Sequence, residues 1–441
     1  MAKHTAKIKH ETPSKMTLLS QASEPLPSHP LTSSPGAAVF KRLAAALHYR
    51  DFRVLWLGAG TSSIGTWMQE VALNWLIVTI TGASSAFFLG LQTFLGQTPI
   101  LLLTLIGGVV ADRRDRRHVL IVSQCIQMGV AFTLATLAYF DAVRIWHILT
   151  LAVVTGTAQA FGGPAHQSLL PSLVDKTHMP NAIALNSIQF NLARVIGPLL
   201  AGATLATWGM VACFGLNGLS FLAVIFALLS MRIRHTAAPT GTRMREELTT
   251  GLRFVRGEPA IVALTILAFA TAFLANPLLT FLPLFARDAF HGGVGQYTRL
   301  MACAGAGAVT GALVVAWLGR FTHMGRTLLI IQLWFGGLIV LFAVTRVFWL
   351  NGLLLFGCGA GLVMVFAMIS SLVQLIAPDE MRGRVMSIYM VAFRGGMPLG
   401  GLVGGWVASL TSPTMALTIN GVLLSLVAGW FLLRSDGVRE L

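Results

Sequence analysis

Residues 85–117 read SAFFLGLQTFLGQTPILLLTLIGGVVADRRDRR. The first 27 residues, 85–111, contain no Asp, Glu, Lys or Arg. As a helix rising 1.5 Å per residue they reach about 40 Å, more than the roughly 30 Å of a bilayer's hydrocarbon core. Lipid offers no water to an unpaired backbone, so a run of this length must close its hydrogen bonds within itself as a helix. The run then stops on Asp112 and four arginines, Arg113, Arg114, Arg116 and Arg117. An apolar rod with a basic stop is the repeating unit of this chain.

Eleven further runs follow the same rule, at 52–80, 118–140, 145–170, 181–207, 210–231, 260–285, 297–318, 326–345, 348–376, 384–410 and 414–433. Turn chemistry separates them: Thr81-Gly82, Pro180-Asn181, Trp208-Gly209, Gly292-Gly293 and Ser412-Pro413. Of the 441 residues 55% are hydrophobic and 11% charged, against about a quarter charged in soluble domains. Too few charges exist to cover a water-facing surface. The expected fold is an all-α membrane protein of twelve transmembrane helices.

The net charge of +15 has a topological home. Of 31 Lys and Arg, 25 fall in the N-terminal stretch, the C-terminal stretch and every second connection. Four, Arg144, Arg287, Arg299 and Arg346, fall in the alternate connections, and Arg194 and Arg394 lie within runs. The positive-inside rule then places both termini in the cytoplasm of a protein in the inner membrane. Nucleic-acid binding, which needs a basic face on a soluble domain, is not expected. Cys125, Cys213, Cys303 and Cys358 lie in four separate runs, without metal-ligand spacing. Neither a metal nor a cofactor is expected, and membrane lipid is the implied surrounding partner.

The longest internal polar stretch divides the chain in two, and the halves resemble each other. Arg194-Val-Ile-Gly-Pro198 is matched 200 positions later by Arg394-Gly-Gly-Met-Pro398, and Ser187 by Ser387; Leu216-Asn217-Gly218 has its counterpart in Ile419-Asn420-Gly421, 203 positions on. This reads as a parallel repeat, the architecture in which a transporter's substrate binds between halves near mid-membrane. The expected organisation is a tail at 1–48, a six-helix bundle at 49–231, a linker at 232–258, a second bundle at 259–434 and a tail at 435–441.

Ionisable groups at membrane depth are costly and mark function. Glu70 is the carboxylate placed well inside a run, which makes it the candidate proton-coupling residue. Arg194 and Arg394 stand near mid-depth, suited either to bond backbone carbonyls between helices or to contact a substrate. His166 is an intramembrane histidine that fits a satisfied core position. Gln69, Asn74, Gln159, Gln167, Asn276 and Gln374 are intramembrane amides, which serve as interhelical glue as readily as cavity lining. Neither a nucleotide P-loop, nor His-Glu-x-x-His, nor Gly-x-Ser-x-Gly is present, so an enzyme or a primary pump is not expected.

The loop Gly108-Val-Val-Ala-Asp112-Arg113-Arg114-Asp115-Arg116-Arg117 resembles the signature of the major facilitator superfamily, G-x-x-x-D-R/K-x-G-R/K-R/K. Gly108, Asp112, Arg113, Arg116 and Arg117 match, and Asp115 stands where many members have Gly. The stretch from Leu170-Pro-Ser-Leu-Val-Asp175 to Gly197-Pro198, and Pro378-Asp379-Glu380-Met-Arg382-Gly383-Arg384, are similar to the secretion-effector branch that includes the enterobactin exporter and macrolide efflux proteins. Tyr49-Arg-Asp-Phe-Arg53 and Pro283-Leu-Phe-Ala-Arg287-Asp288 carry the same likeness. The resemblance implies that Asp112 and its arginines form a cytoplasmic gate, with Asp379, Arg382, Gly383 and Arg384 as its second-half counterpart. It also implies that the first, fourth, seventh and tenth helices line the cavity. Gly197, Pro198 and Gly202 are similar to the fifth-helix element of drug/proton antiporters, where a bend is expected. The implied function is a monomeric, proton-driven exporter of a siderophore, drug or similar amphiphile. A lysophospholipid flippase or a small-solute importer on the same fold remains open.

Overall fold

A computed structural model describes residues 45–231, 252–319, 321–434 and 436–441. Residues 1–44 of the expected tail, 232–251 of the expected linker, and residues 320 and 435 lie outside the described residues. Twelve long helices follow one another: α1 (Arg50–Thr81), α2 (Ser85–Arg113), α3 (Arg116–Tyr139), α4 (Ile145–Leu169), α5 (Met179–Thr207), α6 (Gly209–Ser230), α7 (Pro259–Thr280), α8 (Val294–Leu318), α9 (Met324–Val344), α10 (Phe348–Ile376), α11 (Arg382–Leu410) and α12 (Pro413–Arg434).

Among the described residues, ten segments are long and apolar enough to cross a membrane. The figure is lower than twelve for two physical reasons. α1 and α2 run on through the short turn Gly82–Ser84 and count as one stretch, Arg50–Arg113. α11 does not qualify, because its glycines and Arg394 dilute its hydropathy. Large apolar side chains and tryptophans such as Trp208, Trp317 and Trp349 stand exposed at helix ends, the placement that aromatic residues take at a lipid boundary.

The expected run 260–285 is broken in the structure. With Pro277 inside α7 and Pro283 after it, the helix stops at Thr280, and a short helix Leu282–Leu284 and a π-turn Phe285–Ala289 complete the segment. Proline removes a backbone donor and crowds the preceding turn, which is why the ladder changes there.

The helices associate as two sets. α1 packs on α5 and α6, α2 on α4, and α3 on α4 and α6; α7 packs on α11 and α12, α8 on α10, and α9 on α10 and α12. Between the sets the principal contacts are α2 with α11 and α5 with α8, a pair that the 200-residue repeat relates to each other. Small residues permit such approaches where lipid gives helices no hydrophobic reason to associate. At the α2–α11 crossing a Cβ on Gly90 would run into the Gly401 carbonyl oxygen, and within the second set a Cβ on Gly307 would run into that of Phe356.

The distribution of buried apolar side chains fixes the shape. One core, with Val71, Ile77, Phe214, Phe281, Tyr297, Phe335 and Leu417, is shared by both sets at the end away from the basic loops. At the basic end there are two separate cores. Phe52, Leu120, Leu169 and Leu228 belong to the first set, and Leu264, Leu328, Leu372 and Tyr389 to the second. The sets are therefore joined at one end and parted at the other.

The basic end is braced within each set. Arg117 donates to the Leu229 and Met231 carbonyls at 2.9 and 3.2 Å, and the Ala46 amide donates to Asn181 Oδ1 at 2.8 Å. The Tyr49 hydroxyl donates to Asp175 at 2.6 Å, and that carboxylate holds the phenol above its ordinary pKa. The C-terminal stretch is docked: residues Asp436–Arg439 form a short helix, Val438 is buried, and the Met324 amide donates to the Leu441 carbonyl at 3.1 Å.

The joined end carries a clasp from one set to the other. Arg287, in the π-turn after α7, donates to the carbonyls of Val78 at 2.9 Å and Gly82 at 3.4 Å, at the C-terminal end of α1. Asp288 orients the guanidinium through bonds of 2.6 and 3.0 Å. The last carbonyls of a helix have no partner in the helix itself and sit at the negative end of its dipole, so a guanidinium is a fitting partner.

Candidate functional site

A cavity of about 410 Å³ lies between the two sets, lined by α1, α2, α3, α4 and α5 from one and α7, α8, α10 and α11 from the other. α1 contributes most of its chemistry. Trp67, Glu70 and Asn74 recur every three or four residues along it, so they share one face. Glu70 and Arg194 are the two ionisable side chains of this lining. They do not form an ion pair within 4.0 Å. Instead Glu70 Oε1 accepts a long hydrogen bond of 3.4 Å from Asn74 Nδ2, which also lies 3.5 Å from the Tyr297 hydroxyl of α8. The Tyr297 ring stacks on Trp75 with centroids 6.3 Å apart, within the core shared at the joined end.

Of the residues expected from the sequence, Gln69, Glu70, Asn74, Gln159, Arg194 and Asn276 line this cavity together. Several of the amides have partners of their own. Gln69 Oε1 accepts from Asn217 of α6 at 2.8 Å, Gln159 donates to Gln127 of α3 at 3.1 Å, and Asn276 donates to the Met397 carbonyl of α11 at 3.2 Å. Gln167, Gln374 and Arg394 are not among the lining residues. Gln167 and Gln374 are exposed about two turns nearer the basic end than Gln159 and Phe366, where the sets have parted. Arg394 is exposed too, and shares a face of α11 with Gly401 and Gly405, which pack on α2. His166 is likewise outside the lining and bonds to Asn186 of α5.

The contacts of Asp112, Arg116, Asp379 and Arg382 lie within their own sets. Asp112 pairs with Arg116 at 3.7 Å, and Arg116 also donates to the Ser168 carbonyl at 3.0 Å. Asp379 pairs with Arg382 at 2.5 Å, and Arg382 donates to the Gln374 carbonyl at 3.4 Å; Arg384 donates to the Met381 sulfur at 3.6 Å. On α5, Gly197 packs against Trp67 of α1 and Gly202 against Thr298 of α8, with Pro198 buried between them inside a continuous helix.

Sequence reasoning did not single out Trp67, Gln92, Gln97, Phe366 or Tyr297. Gln92 and Gln97 were visible as amides in an otherwise apolar run, whereas the position of Tyr297 against Glu70 depends on the crossing of α1 and α8.

A model of the family described as transmembrane secretion effector matches residues 43–436. This chain belongs to that family. The chain is 26% identical over 368 residues to the staphyloferrin A transporter of Staphylococcus aureus, covering 81% of this chain and 90% of the relative. It is 25% identical to the multidrug efflux pump Tap of Mycolicibacterium fortuitum, over 83% of this chain and 92% of that one. It is 26% identical to the enterobactin exporter EntS of Escherichia coli, over 85% and 91%. Among solved structures, a bacterial homologue of the lysosomal transporter Spinster, inward-facing and unoccupied, superposes with a TM-score of 0.70 at 16% identity, over 92% of this chain and 98% of the other. The nucleoside transporter NupG does so with a TM-score of 0.66 at 15% identity, over 87% and 98%. The chain thus has the major facilitator fold and is a multi-pass transporter of the inner membrane.

Proposed function

We propose that this chain exports a siderophore-like or drug-like amphiphile by alternating access, driven by protons, without a catalytic step. The observation that carries this reading is a cavity with polar groups set in apolar walls, lying between two helix sets that share a core at one end only. The efflux relatives point the same way. The two sets, residues 49–231 and 259–434, are the halves that rock, and Pro198 with its flanking glycines is the pivot in α5. The basic, parted end faces the cytoplasm, so the structure is inward-facing and ready to load from inside. Efflux of a dye, drug and siderophore panel from cells stripped of their own exporters tests the reading. Retention of every compound at the level of cells without the protein would overturn it.

The orientation has its own test. Cysteines placed near the N-terminus, between α6 and α7, and after Arg434 should react with an impermeant maleimide only in inverted vesicles. Reaction of any of them on intact cells or spheroplasts contradicts an even count of crossings with both termini inside.

In this state the gate motif is unlocked, with Asp112 held by Arg116 of its own set. Closure of the cytoplasmic face brings Asp112, Arg113, Arg116 and Arg117, and Asp379, Arg382, Gly383 and Arg384, toward the opposing half. Asp112→Asn removes the charge and keeps the shape, so folded protein with slowed turnover is expected. Transport at the wild-type rate would remove Asp112 from the gate.

A further inference from the structure

Five arginines at or near helix ends of this protein find backbone acceptors. Arg116, Arg117, Arg287, Arg346 and Arg382 each donate to at least one backbone carbonyl. Arg194 does not follow them. Its side chain lines the cavity and its Cζ lies 5.4 Å from the centre of the Trp67 ring. Among the described residues it has neither a carboxylate within 4.0 Å nor a hydrogen-bond acceptor. The structure thus lacks the carbonyl partners that a purely structural role would require.

A guanidinium carries five donors in a rigid planar fork and does not give up its charge. Holding it at membrane depth without a counter-charge is costly. Glu70 faces the same space and, among the described residues, has no cation within 4.0 Å. The ring of Trp67 covers one side of the fork, which leaves its edge open to the cavity. Leu73, Leu134, Ile148 and Leu151 add apolar walls to the same cavity.

We propose that the fork of Arg194, backed by Trp67, receives a carboxylate or comparable planar oxyanion of the substrate, so that the cargo is an organic anion with an apolar body. This rests on reading the cavity as the substrate site. The location adds a reason why the contact matters. The Arg194 carbonyl packs against Gly305 of α8 so closely that a Cβ there would stand 2.8 Å away. An anion held by Arg194 is therefore held at a crossing between the two sets. A lipophilic cation would meet the opposite situation, because the fork repels it and Glu70 alone attracts it.

The membrane potential also pulls an anion out of the cell, so binding is the cleaner readout. Three probes share one apolar body: 1-pyrenebutyrate, its methyl ester and 1-pyrenemethylammonium. Their binding to the full chain in nanodiscs, with empty nanodiscs subtracted, should favour the carboxylate by about tenfold or more, the worth of a charge-assisted bidentate pair. Arg194→Gln should erase that preference, and Arg194→Lys, which keeps the charge and loses the fork, should retain part of it. Equal binding of the three probes by the wild type, or a preference that survives Arg194→Gln, overturns the proposal. If Arg194→Gln does not fold, the wild-type ranking decides alone. Efflux of the same probes from loaded cells separates the two claims. Carboxylate preference without efflux removes the exporter reading and leaves the anion site, whereas ammonium efflux without carboxylate preference does the reverse.

Discussion

Glu70→Gln is expected to abolish efflux driven by a pH gradient while leaving energy-independent exchange of substrate intact. Glu70 and Arg194 are the ionisable groups of the cavity lining, and Arg194 does not release its proton in the working range. In the proposed proton-driven cycle Glu70 is then the group to carry the proton, taken up when the cavity faces outward and released when it faces the cytoplasm. Glutamine preserves the shape and the bond from Asn74, so insertion and folding should be unchanged. Exchange needs the halves to rock with substrate bound, whereas net pumping needs the return stroke to carry a proton. Proteoliposomes make the comparison direct, with counterflow measured at equal pH on both sides and uphill transport measured with an imposed gradient. Uphill transport by Glu70→Gln at the wild-type level would show that the coupling proton sits elsewhere.

The second large effect separates two glycine contacts of similar tightness. Gly90 meets Gly401 between the sets, and Gly307 meets Phe356 inside one set. Overpacking such a site by a methyl group costs about 1–3 kcal/mol. For Gly307→Ala the cost falls on every state of the cycle, so the folded protein should lose thermal stability and expression. For Gly90→Ala it falls only on the state with the outer face closed, so stability should hold while the population shifts about tenfold or more toward the outward-open state. Spin labels at the exposed positions Ala83 and Arg299, with the native cysteines replaced, report that shift as a longer distance. If Gly90→Ala melts as early as Gly307→Ala and the distance stays put, the α2–α11 contact is a fixed interface and the proposed rocking does not use it.

Much of this architecture is legible in the chain because lipid imposes a simple code. Runs of uncharged residues mark helices to within a few positions, as the run 145–170 shows against α4 (Ile145–Leu169). Local proline chemistry limits that code at Pro277 and Pro283, where one expected run becomes a helix, a turn and a π-turn. Depth and chemistry pointed to Glu70 and Arg194, and both face the cavity. Position along a helix does not reveal how far the sets have parted, so Gln167, Gln374 and Arg394 fall outside the cavity although their helices belong to it. Nor does it reveal partners on neighbouring helices, such as Asn217 for Gln69 or Gln127 for Gln159, which tie up amides that look available in the linear sequence.

The Arg287 clasp is written in side chains on one set and in backbone on the other. Its acceptors are the carbonyl oxygens of Val78 and Gly82, and every residue type supplies a carbonyl. A scan of substitutions across the protein would register Arg287 and Asp288 as sensitive, while Val78 would tolerate Ile or Leu without any loss of the bond. Methods that infer contacts from paired changes in related sequences would be blind to it as well, since one partner has nothing to change. The contact that joins the sets across this face is thus invisible to genetics from the α1 side. A backbone edit that makes the carbonyl a poorer acceptor, such as an ester in place of the peptide bond following Val78, would weaken the clasp and expose it.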